Sequence, residues 1–233
     1  METHGESARQ ANPKAMLLTA GAAVCLSALV ALTAWAWMSG SFSLSPPAPP
    51  LGQLGAAPSF KLVDQAGKPF DSGSLKGKVW VAALIYTSCK GSCPLLAMDM
   101  RRLQKMLAGR PGFELVSISV DPSNDTPRKL SQYASQVGAD LSNWVFLTGR
   151  ESEIKNLAQK GFKLPPDLVG DGMDGMKGMS MTKAQMEADA LHSSRLILVD
   201  GRGHIRGYFD GMSEDTAGKL KAAVLELLGK GSA

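Results

Sequence analysis

Residues that bind soft metal ions are scarce in this 233-residue chain, which has three cysteines and three histidines. One cysteine, Cys25, stands in a long uncharged segment, so only Cys89 and Cys93 remain as a pair. Structural zinc sites almost always use four protein ligands. A closed zinc site is therefore disfavoured, and any thiol chemistry of this chain rests on two sulfurs.

Strong charge is also missing, because 25 basic and 21 acidic side chains leave a net charge of +4. The basic residues do not cluster with interleaved aromatic residues, which make up 6% of the chain. Domains that bind nucleic acid show a basic patch or stripe. The sequence therefore gives no support to a nucleic-acid partner. The length suits one domain with an appendage.

Charged residues are absent from residues 15–38. As a helix this run would reach about 36 Å, enough to span a bilayer. Arg9 and Lys14 precede the run, and no Lys or Arg follows it through residue 60. This bias predicts a single-pass anchor in a bacterial inner membrane, with residues 1–14 in the cytoplasm and the C-terminal domain in the periplasm. A cleaved signal peptide is the alternative, although the run is longer than an ordinary signal-peptide core.

Residues 39–57 are rich in Ser, Gly and Pro and contain no charge, which is typical of a linker. A globular domain is predicted over residues 58–233, where apolar runs alternate with helical patterns. The predicted strands are 60–63, 68–70, 79–86, 113–120, 144–147, 191–199 and 204–209. The predicted helices begin near residues 94, 127, 151 and 213. This order indicates an α/β fold, a thioredoxin-like mixed sheet flanked by helices, preceded by an N-terminal transmembrane helix.

Cys89 and Cys93 stand between the apolar run 79–86 and the helical stripe that starts at Leu96. A helix N-terminus lowers the pKa of a thiol and favours the thiolate, which is both a nucleophile and a metal ligand. The three-residue spacer allows the two sulfurs to face one another, around a metal ion or in a disulfide. A plain stabilising disulfide is the simplest alternative, but so short a loop gains little from closure.

His192 is the third candidate ligand, at the start of a predicted strand and directly after a long polar loop. His4 would lie on the cytoplasmic side, and His204 fits a surface strand residue. Two thiolates and one imidazole suit copper or zinc. A set of three such ligands fits copper that is taken up and handed on.

Four methionines recur within nine residues of a glycine-rich segment and are auxiliary candidates: Met173, Met176, Met179 and Met181. Thioether sulfur is a soft ligand for Cu(I). The glycines argue against a helix in this segment. A polar loop that happens to be rich in methionine explains the pattern equally well.

The loop at residues 121–127 contains two acidic residues, Asp121 and Asp125. They are predicted to cap turns and the following helix rather than to form a hard-metal pair. Thr126 is predicted as the N-cap of that helix, with Pro127 at its first position.

Over roughly residues 58–229 the chain resembles the Sco/SenC family. The motifs that carry the resemblance are YTSCKGSCP at 86–94, SVDPSNDTP at 119–127, FLTG at 146–149, and HS at 192–193 ahead of LVD at 198–200. The resemblance implies a membrane-anchored copper chaperone with a thioredoxin fold. It implies copper bound by Cys89, Cys93 and His192, and a role in assembling the binuclear copper centre in subunit II of cytochrome c oxidase.

Two positions depart from the family pattern. Lys-Gly-Ser stands between the cysteines, where the family typically has Pro-Asp and a variable residue. Leu191 stands where the family usually has an aspartate before the histidine, which removes a partner that would orient the imidazole. Asp189 is close in sequence, and the methionine-rich insert could compensate.

Two other functions would use the same thiols. A thiol–disulfide oxidoreductase that reduces the cysteines of a target needs Cys89 and Cys93 but not His192. A peroxide-consuming enzyme needs a group that stabilises the departing oxygen; Lys90 is near, but no Thr-x-x-Cys motif is present.

Overall fold

The computed structural model describes residues 26–28, 30–35, 51–162 and 193–230. The first two of these stretches are helical and fall inside the predicted membrane anchor at 15–38. Among the described residues, no helix combines the length and the apolar character needed to cross a membrane.

A mixed sheet forms the centre of the domain. In the described part of the chain its strands are β1 (Lys61–Asp64), β2 (Pro69–Asp71), β3 (Val79–Ile85), β4 (Phe113–Ser119), β5 (Trp144–Thr148), β6 (Arg195–Val199) and β7 (Ile205–Asp210). The α-helices are α1 (Cys93–Met106), α2 (Pro127–Val137), α3 (Glu151–Asn156) and α4 (Thr216–Lys230); a 3₁₀-helix covers Ser72–Leu75, and a π-helical segment, Leu157–Gly161, continues α3. The strand order is β2-β1-β5-β4-β3-β6-β7. The predicted mixed sheet with helices is confirmed.

Strands β3, β4 and β5 are parallel neighbours, whereas β1 pairs antiparallel with β5 and β6 antiparallel with β3. All seven residues of β3 are buried, as its unbroken apolar sequence predicts for a central strand. On α1, the predicted stripe of Leu96, Met100, Leu103 and Leu107 is buried in the same core. The carboxyl ends of the three parallel strands therefore lie along one edge of the sheet, and the loops after β3 and β4 meet there.

Strand β7 is covered on its outer side by residues 51–57, which the sequence analysis assigned to the linker. Gly52 donates to the carbonyl of Arg206 at 2.9 Å, and Ala57 donates to the carbonyl of Gly203 at 2.7 Å. Uncharged residues in an extended conformation can use the free hydrogen-bonding groups of an edge strand. The folded part of the chain thus takes in residues before 58.

Two elements begin three or more residues later than predicted. Strand β6 begins at Arg195, after Ser194 has accepted a hydrogen bond from Gly211 at 2.8 Å. Helix α4 begins at Thr216 rather than at residue 213. The hydroxyls of Ser213 and Thr216 both donate to the carbonyl of Asp210, which closes a turn ahead of the helix.

Candidate functional site

The cysteine loop, residues 86–92, connects the end of β3 to the start of α1. The Cys89 N–H donates to the carbonyl of Tyr86 at 3.2 Å, which turns the chain sharply after the strand. Pro94 lies in the first turn of α1, as predicted. The structure brings the two predicted cysteines together as free thiols, with Cys93 fully buried and Cys89 partly exposed.

The two thiols have opposite acid strengths. The pKa of Cys89 is lowered to about 5, chiefly because the Cys93 thiol donates a hydrogen bond to its sulfur. Burial opposes this lowering, while the N–H groups of Cys93 and Gly91 and the Tyr86 side chain support it. The pKa of Cys93 is raised by the same hydrogen bond, by burial and by the negative charges of Cys89 and Asp125. At neutral pH the pair therefore holds one proton, and the accessible sulfur is the thiolate.

A buried carboxylate, Asp125, holds the cysteine loop from the neighbouring loop that follows β4. It accepts hydrogen bonds from the Thr87 N–H at 2.9 Å, from the Thr87 hydroxyl and from the Ser119 hydroxyl at 2.7 Å. Asp125 has no exposed surface. These three donors are neutral, so the carboxylate adds negative charge beneath the thiols.

The predicted capping role of Asp125 is therefore wrong. Its partners precede it by 6 and 38 positions, and only the parallel pairing of β3 with β4 brings them close. The other caps in this loop are confirmed. Asp121 accepts two hydrogen bonds from the Asn124 side chain, and the Thr126 hydroxyl accepts from the Lys129 N–H at 3.4 Å.

Tyr133 on α2 is a second residue that the sequence analysis missed. Its ring packs edge-on against Phe146, with centroids 6.1 Å apart. The pKa of Tyr133 is raised by burial and then by the charges of Cys93, Cys89 and Asp125. A tyrosine in the middle of an amphipathic helix carries no sequence signal for such a place, because only the packing of α2 brings it near the cysteine loop.

His192 and the four methionines, Met173, Met176, Met179 and Met181, lie outside the described residues. The described chain resumes at Ser193, which is buried. Its neighbour Ser194 pairs with Gly211, and Gly211 lies so close to Leu96 that a side chain there would overlap it. The chain thus re-enters the fold beside the first turns of α1.

The described residues alone do not form a complete metal site. Within them, no three side chains of His, Cys, Asp or Glu converge into a group that could hold a metal ion. The cysteine pair offers two soft sulfur donors, which suit Cu(I) better than a hard cation. His204 lies at the opposite end of the sheet, where its Nδ1 is 3.8 Å from Asp200 Oδ1.

The model of the SCO1/SenC family matches residues 50–228, well over half of the chain. The chain belongs to this family. It is similar to the SCO1 protein homolog of Bacillus subtilis, with 33% identity over 170 residues that cover 70% of this chain and 80% of that protein. The SCO1/SenC assignment confirms the resemblance read from the cysteine motif and the segment at 119–127.

Solved structures of Sco proteins agree with this assignment. BsSco, a member of the Sco family of cytochrome c oxidase assembly proteins in which a disulfide switch has been identified, is 30% identical with a TM-score of 0.59. That match covers 74% of this chain and 92% of BsSco. The copper-bound structure of ScoI from Bradyrhizobium japonicum has a TM-score of 0.57 at 23% identity, covering 74% of this chain and 99% of ScoI, a match that shows the shared fold.

Proposed function

We propose that this protein is a copper metallochaperone. It binds copper through Cys89, Cys93 and His192, and it assists assembly of the binuclear copper site in subunit II of cytochrome c oxidase or in another copper-accepting protein. The observation that carries the proposal is the cysteine pair itself, in which an accessible thiolate is backed by a buried thiol at the edge of a Sco fold. Thiolates are the ligands that Cu(I) prefers.

The charge around the pair favours a cation. Asp125 and the Cys89 thiolate are both negative, and the donors to Asp125 are a backbone N–H and two hydroxyls. Burying negative charge without a positive partner is costly. A copper ion held by the two sulfurs would supply that partner. A Sco protein with this fold, ScoI, holds copper in its structure, and BsSco belongs to a family of oxidase assembly proteins.

His192 is proposed as the third ligand because the next two residues are anchored beside α1. Ser194 pairs with Gly211, and Gly211 contacts Leu96, one turn after Cys93. Only two positions separate His192 from Ser194, which supports His192 as a ligand that binds copper together with the cysteines at the start of α1. The four methionines at 173, 176, 179 and 181 are proposed as auxiliary thioether ligands that hold Cu(I) before or after transfer.

The proposed location follows from the charge pattern of the N-terminal part. Residues 15–38 anchor the protein in the bacterial inner membrane by a single pass, with residues 1–14 in the cytoplasm. Of the predicted linker at 39–57, residues 51–57 pair with β7 and belong to the folded domain, so the linker is shortened to 39–50. The copper-binding domain, predicted over 58–233 and extended by residues 51–57, faces the periplasm. Protease added to spheroplasts should cleave the domain while a cytoplasmic marker stays intact. Protection of the domain from protease would contradict this topology.

Copper titration of the reduced full-length protein in detergent tests the ligand set. One copper ion should bind per chain, and Cu(II) should give an intense thiolate-to-copper absorption band. Cys89→Ala and Cys93→Ala should abolish the band. His192→Ala should weaken retention of Cu(II) at least tenfold, whereas the matched control His204→Ala should not, because His204 lies at the other end of the sheet.

Two outcomes would contradict the proposal in different ways. If His192→Ala and His204→Ala retain copper equally, His192 is not a ligand. If the wild-type protein binds no copper but reduces a disulfide in the acceptor protein through a mixed disulfide, the oxidoreductase alternative replaces the chaperone.

A further inference from the structure

The Tyr133 hydroxyl is buried beside the cysteine pair without a hydrogen-bond partner among the described residues. Its ring packs edge-on against Phe146. Buried hydroxyls in folded proteins nearly always have a partner, because an unmade hydrogen bond is costly. A partner that appears in another state of the site would explain this one.

The nearest charged groups identify what that partner could be. Cys93, Cys89 and Asp125 all act on the Tyr133 hydroxyl, in that order of strength. A tyrosine hydroxyl carries its proton at neutral pH and can donate it in a hydrogen bond to an anion. Asp125 already accepts from three donors, so the cysteine sulfurs are the other anionic acceptors that act on this hydroxyl.

The two sulfurs differ in what they need when the protein is reduced and free of metal. The Cys93 thiol donates a hydrogen bond to Cys89, whose sulfur also accepts hydrogen bonds from two backbone N–H groups. The metal-free pair is therefore satisfied. Binding of Cu(I) changes this for Cys93, because the S–H bond breaks, its proton leaves to solvent and a copper–sulfur bond forms with no change in oxidation state. A buried thiolate then replaces a buried thiol.

We propose that Tyr133 is a positioning residue for the copper-loaded site, where its hydroxyl donates a hydrogen bond to the Cys93 thiolate. The proposal rests on the copper site proposed above. In the metal-free protein the Tyr133 hydroxyl has no hydrogen-bond partner among the described residues, and copper binding creates an acceptor for it, the Cys93 thiolate. Hydrogen bonds to a copper-bound cysteine sulfur tune the electronic properties of copper–thiolate sites. Tyr133 thus favours the loaded form without touching the metal.

Tyr133→Phe tests the proposal, because it removes only the hydroxyl. In the metal-free reduced protein the thermal midpoint should be unchanged or higher, since no hydrogen bond is lost. In the loaded protein the dissociation constant for Cu(I) should rise about tenfold, the usual effect of one hydrogen bond to a charged group. The thiolate-to-Cu(II) band should move to lower energy, because a thiolate without a donor is a better electron donor.

Tyr208→Phe is the matched control. The Tyr208 hydroxyl donates to the carbonyl of Phe162 at 2.6 Å, on β7 and away from the thiols. This variant should lower the thermal midpoint and leave the copper band and the affinity unchanged. The two variants should therefore give opposite patterns.

A second measurement uses the wild-type protein. Ultraviolet resonance Raman bands of tyrosine report hydrogen bonding of the hydroxyl. The difference between loaded and metal-free protein should show one tyrosine gaining an acceptor, and this signal should be missing in Tyr133→Phe.

Three results would overturn the inference. In the first, Tyr133→Phe has the copper absorption band of wild type and a dissociation constant within twofold of it. In the second, the thermal midpoint of metal-free Tyr133→Phe is lowered while the copper band is unchanged. Either result would leave Tyr133 with a structural role only. An unchanged Raman spectrum on loading would do the same. If wild-type protein gives no copper band, the proposed function itself fails, which distinguishes that failure from the failure of Tyr133 alone.

Discussion

Each end of the central sheet is built around a buried aspartate, and the two are satisfied in different ways. At the amino end of β3, Asp200 accepts from the Arg206 guanidinium at 3.0 Å and from the N–H groups of Arg202 and His204. At the carboxyl end, Asp125 accepts only from Thr87 and Ser119 among the described residues. Arginine balances the charge of Asp200, whereas none of the described residues supplies a cation to Asp125.

The pKa of the first carboxyl agrees with this difference. Burial alone would raise the pKa of Asp200, but the hydrogen bonds from His204, Arg206 and Arg202 outweigh burial and lower it. Asp200 is already paired with Arg206, so its role is structural: it holds the turn between β6 and β7. A carboxylate left negative beneath two thiols creates a place where a cation is stabilised. The comparison separates a structural aspartate from one that serves the site.

Asp125→Asn is expected to have the largest effect. One acceptor oxygen is replaced by an NH₂ group that faces the donors of Thr87 and Ser119, so buried groups lose their partners. The free energy of unfolding of the reduced protein should fall by about 2–4 kcal/mol, measured by urea denaturation. The Cys89 thiol should also become more accessible to alkylation, because the loop loses its anchor. A loss below about 1 kcal/mol would remove Asp125 as that anchor.

Cys93→Ala should change the acidity of the remaining thiol. The pKa of Cys89 lies near 5 mainly because of the hydrogen bond from Cys93, so without that donor it should rise toward the ordinary value of about 8.5. At pH 6.5 the alkylation rate of Cys89 should fall about tenfold or more. The rate of alkylation by iodoacetamide, followed across about pH 4–9, gives the titration midpoint of Cys89 in the wild-type protein and in Cys93→Ala. An unchanged midpoint would assign the low pKa to the helix N-terminus instead.

The same shift predicts how stability depends on pH. The folded pKa of Cys89 lies below that of the unfolded thiol, so the thiolate stabilises the folded reduced protein. That contribution is complete above the unfolded pKa, about 8.5, and is lost as the pH falls through about 5. The raised pKa of Cys93 acts in the opposite sense and costs stability as the pH rises above the unfolded value. Stability of the reduced protein should therefore rise between about pH 5 and 8.5, and Cys89→Ser should flatten the rise.

Asp200→Asn should have a smaller effect than Asp125→Asn and should leave the thiols untouched. The side-chain oxygen of asparagine can still accept from the backbone N–H groups, so mainly the ion pair with Arg206 is lost. A decrease of about 1–2 kcal/mol is expected, with the alkylation midpoint of Cys89 unchanged. A shifted midpoint would show that the two ends of the sheet are coupled, and would contradict the conclusion that Asp200 has a structural role only.

Thr126→Ala should have the smallest effect. The Thr126 hydroxyl caps α2, but its bond to the Lys129 N–H is long at 3.4 Å. The expected loss is about 0.5 kcal/mol, at the low end of the range for N-caps. Urea denaturation of Thr126→Ala and Asp125→Asn, measured side by side, would distinguish the contributions of these two adjacent residues to the free energy of unfolding. Equal losses would contradict the conclusion that Asp125 anchors the loop rather than capping the helix.

Much of the fold was predictable because its signals are local. The apolar run of β3 marks a strand buried on both faces, and the spacing of Leu96 and Met100 marks the inner face of a helix. Thr126 before a proline marks a helix start. The late start of α4 was missed, because hydroxyl-to-carbonyl bonds at Ser213 and Thr216 compete with the helix there.

The cysteine motif was also visible in the sequence, since both thiols and the helix that follows them lie within one short segment. The residues of other elements that lie beside the thiols were not visible as site residues. Asp125 and Tyr133 belong to other elements, and they reach the loop only because β4 pairs parallel with β3 and α2 packs beside β5.

The sequence by itself determined the order of strands and helices, the position of the two sulfurs at a helix start and membership of the SCO1/SenC family. Each of these follows from residues close together along the chain. Only the tertiary structure decided that Cys93 is the thiol that keeps its proton, that Asp200, and not Asp125, is the aspartate paired with arginine, and that the Tyr133 hydroxyl is buried near the sulfurs. Those outcomes depend on distances between residues far apart in sequence, and electrostatic interactions inside a protein are set by such distances and by burial.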